Sequence, residues 1–248
     1  MKANPINISL KYFHEFPQSM KLFFVNVQSF LLHKEDLQAD SHIMSSDLIA
    51  IVEPHLLITN EFSFPNFTPI YCHNCSNTRN SEGILVLRSN ALGINVYSSH
   101  YFQIYYNLQS GLYSVLETTI AINDYTVSPQ TTNGHCLLLS VSIENIHVVF
   151  MYKSPKYSIL NFLRILETRL LQINHKTICI GDINIDLKCG GDAVISLFEK
   201  YNMVSILDLM NSTTNGNTHI DCCFSNFSPT GWLYETYYSY HKAICVTW

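Results

Sequence analysis

Short apolar runs separated by polar connectors recur along most of this chain, and their spacing predicts strands more often than helices. Residues 22–25, 48–52 and 177–180 read as buried strands. Residues 84–87 and 94–97 predict a hairpin around Ser89-Asn90, and 137–142 with 147–151 predict a second one turning at Glu144-Asn145. The stretch 113–122 is rich in strand-forming residues and ends at an Asn123-Asp124 turn, while 218–224 and 243–246 read as the closing strands. Helical spacing is weak over 34–44, through Leu37, Ile43 and Met44. It is clear after Ser158, a candidate N-cap, where Ile159, Phe162, Leu163, Leu166, Leu170 and Ile173 share one face. A further helix is predicted over 193–201, with Val194, Leu197, Phe198 and Tyr201 at helical spacing.

The polar residues that end these runs form a pattern of their own. Asn26, Glu53, Tyr152 and Asp182 each stand at the downstream end of an apolar strand-like segment. A sheet gathers polar side chains there without burying unpaired charge in its core. Pro54 follows Glu53 and stops ordinary ladder pairing at that point. In Gly181-Asp182-Ile183-Asn184, alternation along an extended chain would put Asp182 and Asn184 on the same side. Any one such residue is ordinarily where polarity resumes after a strand; all of them in a chain with few acids predict convergence on one site.

Composition narrows the setting. The chain has 248 residues, 47% hydrophobic and 13% charged, enough for one large core. Its net charge of −5, with 14 Lys plus Arg, advertises no general affinity for polyanions, although a local basic groove stays compatible with it. Residues 1–20 hold no apolar run of signal-peptide length and no later window is long enough to span a membrane, so an intracellular, nuclear protein is expected. Eight irregularly spaced cysteines read as reduced thiols. Cys72-His73-Asn74-Cys75 lacks a second ligand pair and reads as a surface loop ahead of a zinc site. Five Asn-x-Ser/Thr triplets, from Asn7 to Asn226, read as chance in a chain rich in those residues.

Glu53 and Asn26 are oxygen donors of the hard, sparse kind that Mg2+ accepts, with Mn2+ as the alternative, and that ion commonly works on a phosphoester. Asp182 would orient or deprotonate a water for in-line attack, Asn184 would donate to the developing phosphorane and Tyr152 would contact a phosphate. His241, as an imidazolium, would complete the phosphate clamp, with Asp221 holding its ring.

The ordered segments Val25-Asn26-Val27, Val52-Glu53, Glu82-Gly83-Ile84, Met151-Tyr152-Lys153-Ser154-Pro155, Gly181-Asp182-Ile183-Asn184-Ile185-Asp186, His219-Ile220-Asp221 and Ser239-Tyr240-His241-Lys242-Ala243-Ile244 resemble the endonuclease/exonuclease/phosphatase superfamily. The flavour is that of the apurinic-endonuclease-like domains of mobile elements, non-LTR retrotransposons or Helitron-like elements. The resemblance implies a four-layer α/β sandwich over 21–248, with two mixed sheets face to face, helices outside and residues 1–20 as an N-terminal extension. It implies Mg2+-dependent phosphodiester hydrolysis with DNA as substrate. Carried over by position, Asn26 and Glu53 fall on the metal site, Tyr152 on the phosphate contact, Asp182 and Asn184 on the water-activating pair, and Asp221 behind the catalytic His241. Three positions depart from the pattern. Tyr240 stands where the family usually has an acid, Pro54 where Thr or Ser is usual, and Glu82 where a second glycine is common. A tyrosine does not replace a carboxylate as a hard-cation ligand, so weakened metal affinity is expected. A catalytically decayed nucleic-acid-binding relic, a phosphatase of the same superfamily, and a scaffold without ligand remain the alternatives.

Overall fold

The computed structural model describes residues 19–56, 63–74, 83–92, 96–107, 112–120, 126–127, 136–143 and 145–248. Among these, the strands are β1 (Lys21–Asn26), β2 (Leu48–Val52), β3 (Phe67–Asn74), β4 (Gly83–Ser89), β5 (Val96–Asn107), β6 (Leu112–Ile120), β7 (Thr126–Val127), β8 (Cys136–Ile143), β9 (Ile146–Lys153), β10 (Lys176–Asp182), β11 (Val204–Ser205), β12 (Asp221–Ser225), β13 (Thr230–Tyr234) and β14 (Ala243–Thr247). The helices are α1 (Lys34–Ala39), α2 (Ser41–Met44), α3 (Ile159–Leu170) and α4 (Asp192–Lys200). One sheet runs β13-β14-β1-β2-β4-β3-β7 and the other β11-β12-β10-β9-β8-β5-β6.

Both sheets are mixed. In the first, β1 is parallel to β2 and antiparallel to β14. In the second, β10 is parallel to β9 and antiparallel to β12. Alternation sorts the apolar residues into layers. Leu22, Phe24, Leu48, Ala50 and Val52 face Leu139, Val148, Phe150, Ile178 and Ile180 across the gap between the sheets. The intervening Phe23, Val25, Ile49 and Ile51 turn outward onto Leu37 and Ile43 of α1 and α2. On the other side Val149, Met151 and Cys179 turn onto Phe162, Leu166 and Leu170 of α3 and Val194 and Phe198 of α4. The result is the four-layer α/β sandwich, and it explains why strands such as 22–25 read as unbroken apolar runs: both faces are covered.

Local signals act as expected in several places. Ser158 caps α3, its hydroxyl accepting the Asn161 N–H at 3.5 Å, and β8 and β9 form the expected hairpin. The 34–44 helix is divided at Asp40, whose extended backbone and side-chain acceptance of the His42 N–H start α2 afresh. The hairpin expected between 84–87 and 94–97 does not form. β4 pairs with β2 and β3 in one sheet, whereas β5 pairs with β6 and β8 in the other. Proximity in sequence favoured that hairpin; the crossing between sheets overrides it. Cys72, His73 and Asn74 end strand β3 and pair with β4 rather than forming a loop. Cys75 and the Asn123-Asp124 turn lie outside the described residues. Cys136, Cys179, Cys222, Cys223 and Cys245 are free and buried, and Cys189 is free and exposed.

Candidate active site

Topology alone brings the polar strand ends to one edge. Parallel strands finish together, so Asn26 pairs with Val52 at the ends of β1 and β2, and Tyr152 pairs with Asp182 at the ends of β9 and β10. Antiparallel strands start where their partners stop. Asp221 therefore opens β12 opposite Asp182, and His241 sits two residues ahead of β14. Asn26, Tyr152, Asp182 and Asp221 also continue the alternation of Phe24, Phe150, Ile180 and Cys223, which face the gap between the sheets. Glu53 follows Val52, itself an inward-facing residue, and plain alternation would aim it outward. Its backbone instead turns left-handed, at φ 53°. That conformation costs a non-glycine residue about 1–3 kcal/mol, and it lets the Glu53 carboxylate accept the Tyr152 hydroxyl at 3.0 Å.

The two sheets are tied at the site by the Asn26 amide, which donates to Asp182 Oδ2 at 3.0 Å. The Asn26 Oδ1 accepts the Gln28 N–H at 3.1 Å, which fixes the amide orientation. Asp182 Oδ1 accepts the Asn184 N–H at 3.0 Å. The expected alternation of Asp182 and Asn184 does not operate, because β10 ends at Asp182 and Asn184 is left-handed at φ 49°. The Asn184 side chain donates to the Lys153 carbonyl at 3.0 Å, which still keeps it beside the acid. His241 Nδ1 and Asp221 Oδ2 lie 2.8 Å apart, both residues buried. Ligand atoms of Asp182, Asp221 and His241 fall within 4.8 Å of one another. Asp186 accepts the Lys188 and His219 N–H groups and so serves the loop rather than the site.

Crowded acids in a dry setting perturb one another. Burial, reinforced by the neighbouring Asp221 charge, pushes the Asp182 carboxyl up to about 8, with Asn26 and His241 pulling the other way. For His241, burial favours the neutral ring, but the Asp221 hydrogen bond and charge prevail and hold the imidazolium up to about 9. Glu53 lies close enough for its charge to raise both groups. Lys153 is buried at the same edge, its ammonium donating to the Ser154 carbonyl at 2.9 Å, and burial depresses its proton affinity.

Such a donor set fits a hard divalent cation. Glu53 and Asp182 present carboxylate oxygens, and the Asp221 and Glu53 charges that add to burial in raising the Asp182 proton affinity are ones a cation would offset. One Asp221 oxygen, Oδ1, is buried without a hydrogen-bond partner among the described residues. Pattern reading passed over Ser239 and Thr213. The Ser239 hydroxyl donates to the Asn26 carbonyl and accepts the His241 N–H, lashing the segment that carries the histidine to β1. Thr213 Oγ1 accepts the Asp221 N–H at 3.1 Å. A serine two residues before the histidine was the only signal for the first; nothing in the sequence marks the second.

No protein-family profile and no curated sequence matches the chain. Solved structures do. The endonuclease domain of TRAS1, a telomere-specific non-LTR retrotransposon, superposes with a TM-score of 0.58 at 12% identity, over 92% of this chain and 97% of that one. An endonuclease/exonuclease/phosphatase family protein from Leptotrichia buccalis gives 0.58 at 15% identity, over 92% and 98%. The AP endonuclease LMAP from Leishmania major gives 0.59 at 10% identity, over 92% and 87%. The chain has the endonuclease/exonuclease/phosphatase fold. At this identity the shared property is the fold, and its neighbours include nucleases and phosphatases. No described helix of the endonuclease/exonuclease/phosphatase-fold chain is long and apolar enough to cross a membrane.

Proposed function

We propose that the chain is a Mg2+-dependent phosphodiesterase acting on DNA, of the endonuclease kind carried by mobile elements, with 21–248 as its catalytic domain. The observation that carries this reading is the tie between Asn26 and Asp182 across the two sheets, beside the buried Asp221–His241 pair. A chain folded only for stability gains little from facing acids buried together.

In the proposed reaction Asp182 takes the proton of the attacking water. Its proton affinity, raised by burial to about 8, suits a general base at neutral pH. Asn26 and the Asn184 N–H hold its two oxygens in place. The incoming oxygen bonds to phosphorus in line with the leaving oxygen, which departs with the bonding pair and takes a proton from solvent, while negative charge builds transiently on the remaining oxygens. His241 donates to one of these as an imidazolium, steadied by Asp221, the Asn184 amide keeps a second N–H for them, and the Tyr152 hydroxyl would reach the phosphate on leaving Glu53. Glu53, with Asn26 beside it, would hold the cation, which supplies charge neutralisation at the phosphate.

The test is plasmid nicking with Mg2+ against EDTA. Nicking is expected with Mg2+ alone and is expected to vanish in Asp182→Ala; nicking indifferent to that substitution rejects the assignment. Tyr240, in the place of the expected acid, favours a second reading, an enzyme of weakened metal affinity. It predicts that saturation needs more Mg2+ than Tyr240→Asp requires. In a cell the DNA substrate predicts nuclear residence, checked by imaging a tagged chain.

A further inference from the structure

Tyr240 is the residue at this edge that the proposed chemistry leaves unused, and its setting is unlike that of the buried groups around it. It is 46% exposed, although its neighbour His241 is buried. The rings of Tyr240 and His241 lie 5.7 Å apart at 77°, so the imidazole does not occupy the place of a parallel stacking partner. The Tyr240 backbone is clamped, its carbonyl accepting the Asn215 N–H at 3.0 Å, and His241 bridges to Thr214. The hydroxyl lies over Gly216 so closely that a Cβ on that glycine would come within 1.8 Å of it. Gly216 thus leaves the space the phenol ring fills, and the ring is held in place while part of it stays open to solvent. An aromatic surface held ready in this way stacks a base at little entropic cost.

The charges nearby point the same way. Duplex binders grip phosphates with an array of cations. Here Lys153 is buried on the Ser154 carbonyl, Lys188 bonds Asn217 and Lys242 pairs with Glu235, which leaves Lys156 as an exposed cation close in sequence to Tyr152. The chain as a whole carries 14 Lys plus Arg against 19 Asp plus Glu. With cations this sparse, affinity for a polyanion gains from a source beside charge, and base stacking is one that tolerates any sequence. A base within a duplex has both faces covered by its neighbours and is not available to a side chain.

We infer that Tyr240 is a stacking platform for an unpaired base next to the phosphate held at His241, so that the preferred substrate is single-stranded or locally unpaired nucleic acid. This rests on the phosphodiesterase reading for the identity of the neighbouring phosphate. The ring stands one aromatic contact from the imidazole, and a nucleotide holds its base one sugar away from its phosphate.

The experiment measures binding in EDTA to three probes: a short oligodeoxynucleotide, the same backbone stripped of its bases, and the matching duplex. Cleavage of each is followed separately in Mg2+. The intact single strand is expected to bind about tenfold or more tightly than the baseless one, the usual scale for one stacked base. Tyr240→Phe should keep that ratio and Tyr240→Ala should bring it towards one. Gly216→Ala should lower it by displacing the ring, and should change nothing further in a Tyr240→Ala background. Discrimination that survives Tyr240→Ala, or a duplex bound as tightly as the single strand, overturns the proposal. Cleavage that persists while discrimination is absent removes the platform and leaves the hydrolase. Discrimination that follows Tyr240 without any cleavage leaves the platform and removes the hydrolase.

Discussion

Replacing Asp221 by Asn probes the charge balance at its most enclosed pair. Burial alone favours a neutral His241, and the carboxylate 2.8 Å away reverses that preference, holding the ring protonated up to about 9. The rise from an ordinary 6.5 to about 9, at about 1.4 kcal/mol per pH unit, amounts to roughly 3 kcal/mol in favour of the charged ring. Because the folded value is the higher one, this stabilisation is fully present below pH 6.5 and is lost as pH rises through about 9. An amide in place of the carboxylate removes the hydrogen-bonded charge and leaves burial opposed only by the weaker fields of Asp182 and Glu53. The ring should then lose its proton well below 9, near or under the ordinary histidine value. Proton NMR of the His241 ring in EDTA, assigned with His241→Gln, reads this directly. In the pH–rate profile of Mg2+-dependent nicking, the alkaline limb governed by His241 should move down with it, with activity near pH 8 falling roughly thirtyfold for a return to the ordinary value. An Asp221→Asn ring that stays protonated to about 9 would refute the causal role given to Asp221.

Asp182→Asn should abolish nicking and yet stabilise the apoprotein at high pH. The Asp182 proton affinity is raised by burial to about 8, so its contribution is present below its ordinary value of 3.8 and is lost as pH rises through about 8; urea unfolding at pH 9 in EDTA, with the variant less stable than the parent, would contradict this. Mg2+ should raise the melting temperature of the parent, and Glu53→Gln should reduce that increment, as expected when a ligand binds only the native state; an unchanged increment moves the cation away from Glu53. Gly181→Ala should destabilise by at least about 1–3 kcal/mol, since its Cβ would stand 2.0 Å from the Met151 carbonyl of the adjacent strand; equilibrium denaturation measures this, and a neutral effect would contradict the close approach of β9 and β10.

The layered fold was legible where burial acts on both strand faces, as at Phe23 and Phe24, because such runs have few alternatives to a central strand. It was illegible where partners are chosen at long range. Nothing local tells Ile84 and Val96 that they belong to different sheets, or shows β3, which contains Pro69 and bulges beside it. For the site, strand-end polarity named Asn26, Tyr152 and Asp182 because an inward-facing register continues into them. Glu53 breaks that register and is turned in only by its left-handed backbone, which no pattern of alternation reports. Ser239 and Thr213 act by bonding backbone groups distant in sequence, and their identity as small hydroxyl residues carries no trace of that.

The strand β14 slots between β1 and β13, although one neighbour comes from the opposite end of the sequence. During synthesis β1 is therefore left with an open flank until β14 has emerged, and the imidazole that precedes β14 arrives at the same moment. A chain stopped before residue 241 would lack that imidazole, the donor on which the proposed hydrolysis relies. In the proposed reaction, competence would thus follow the closing of the β1 flank by β14.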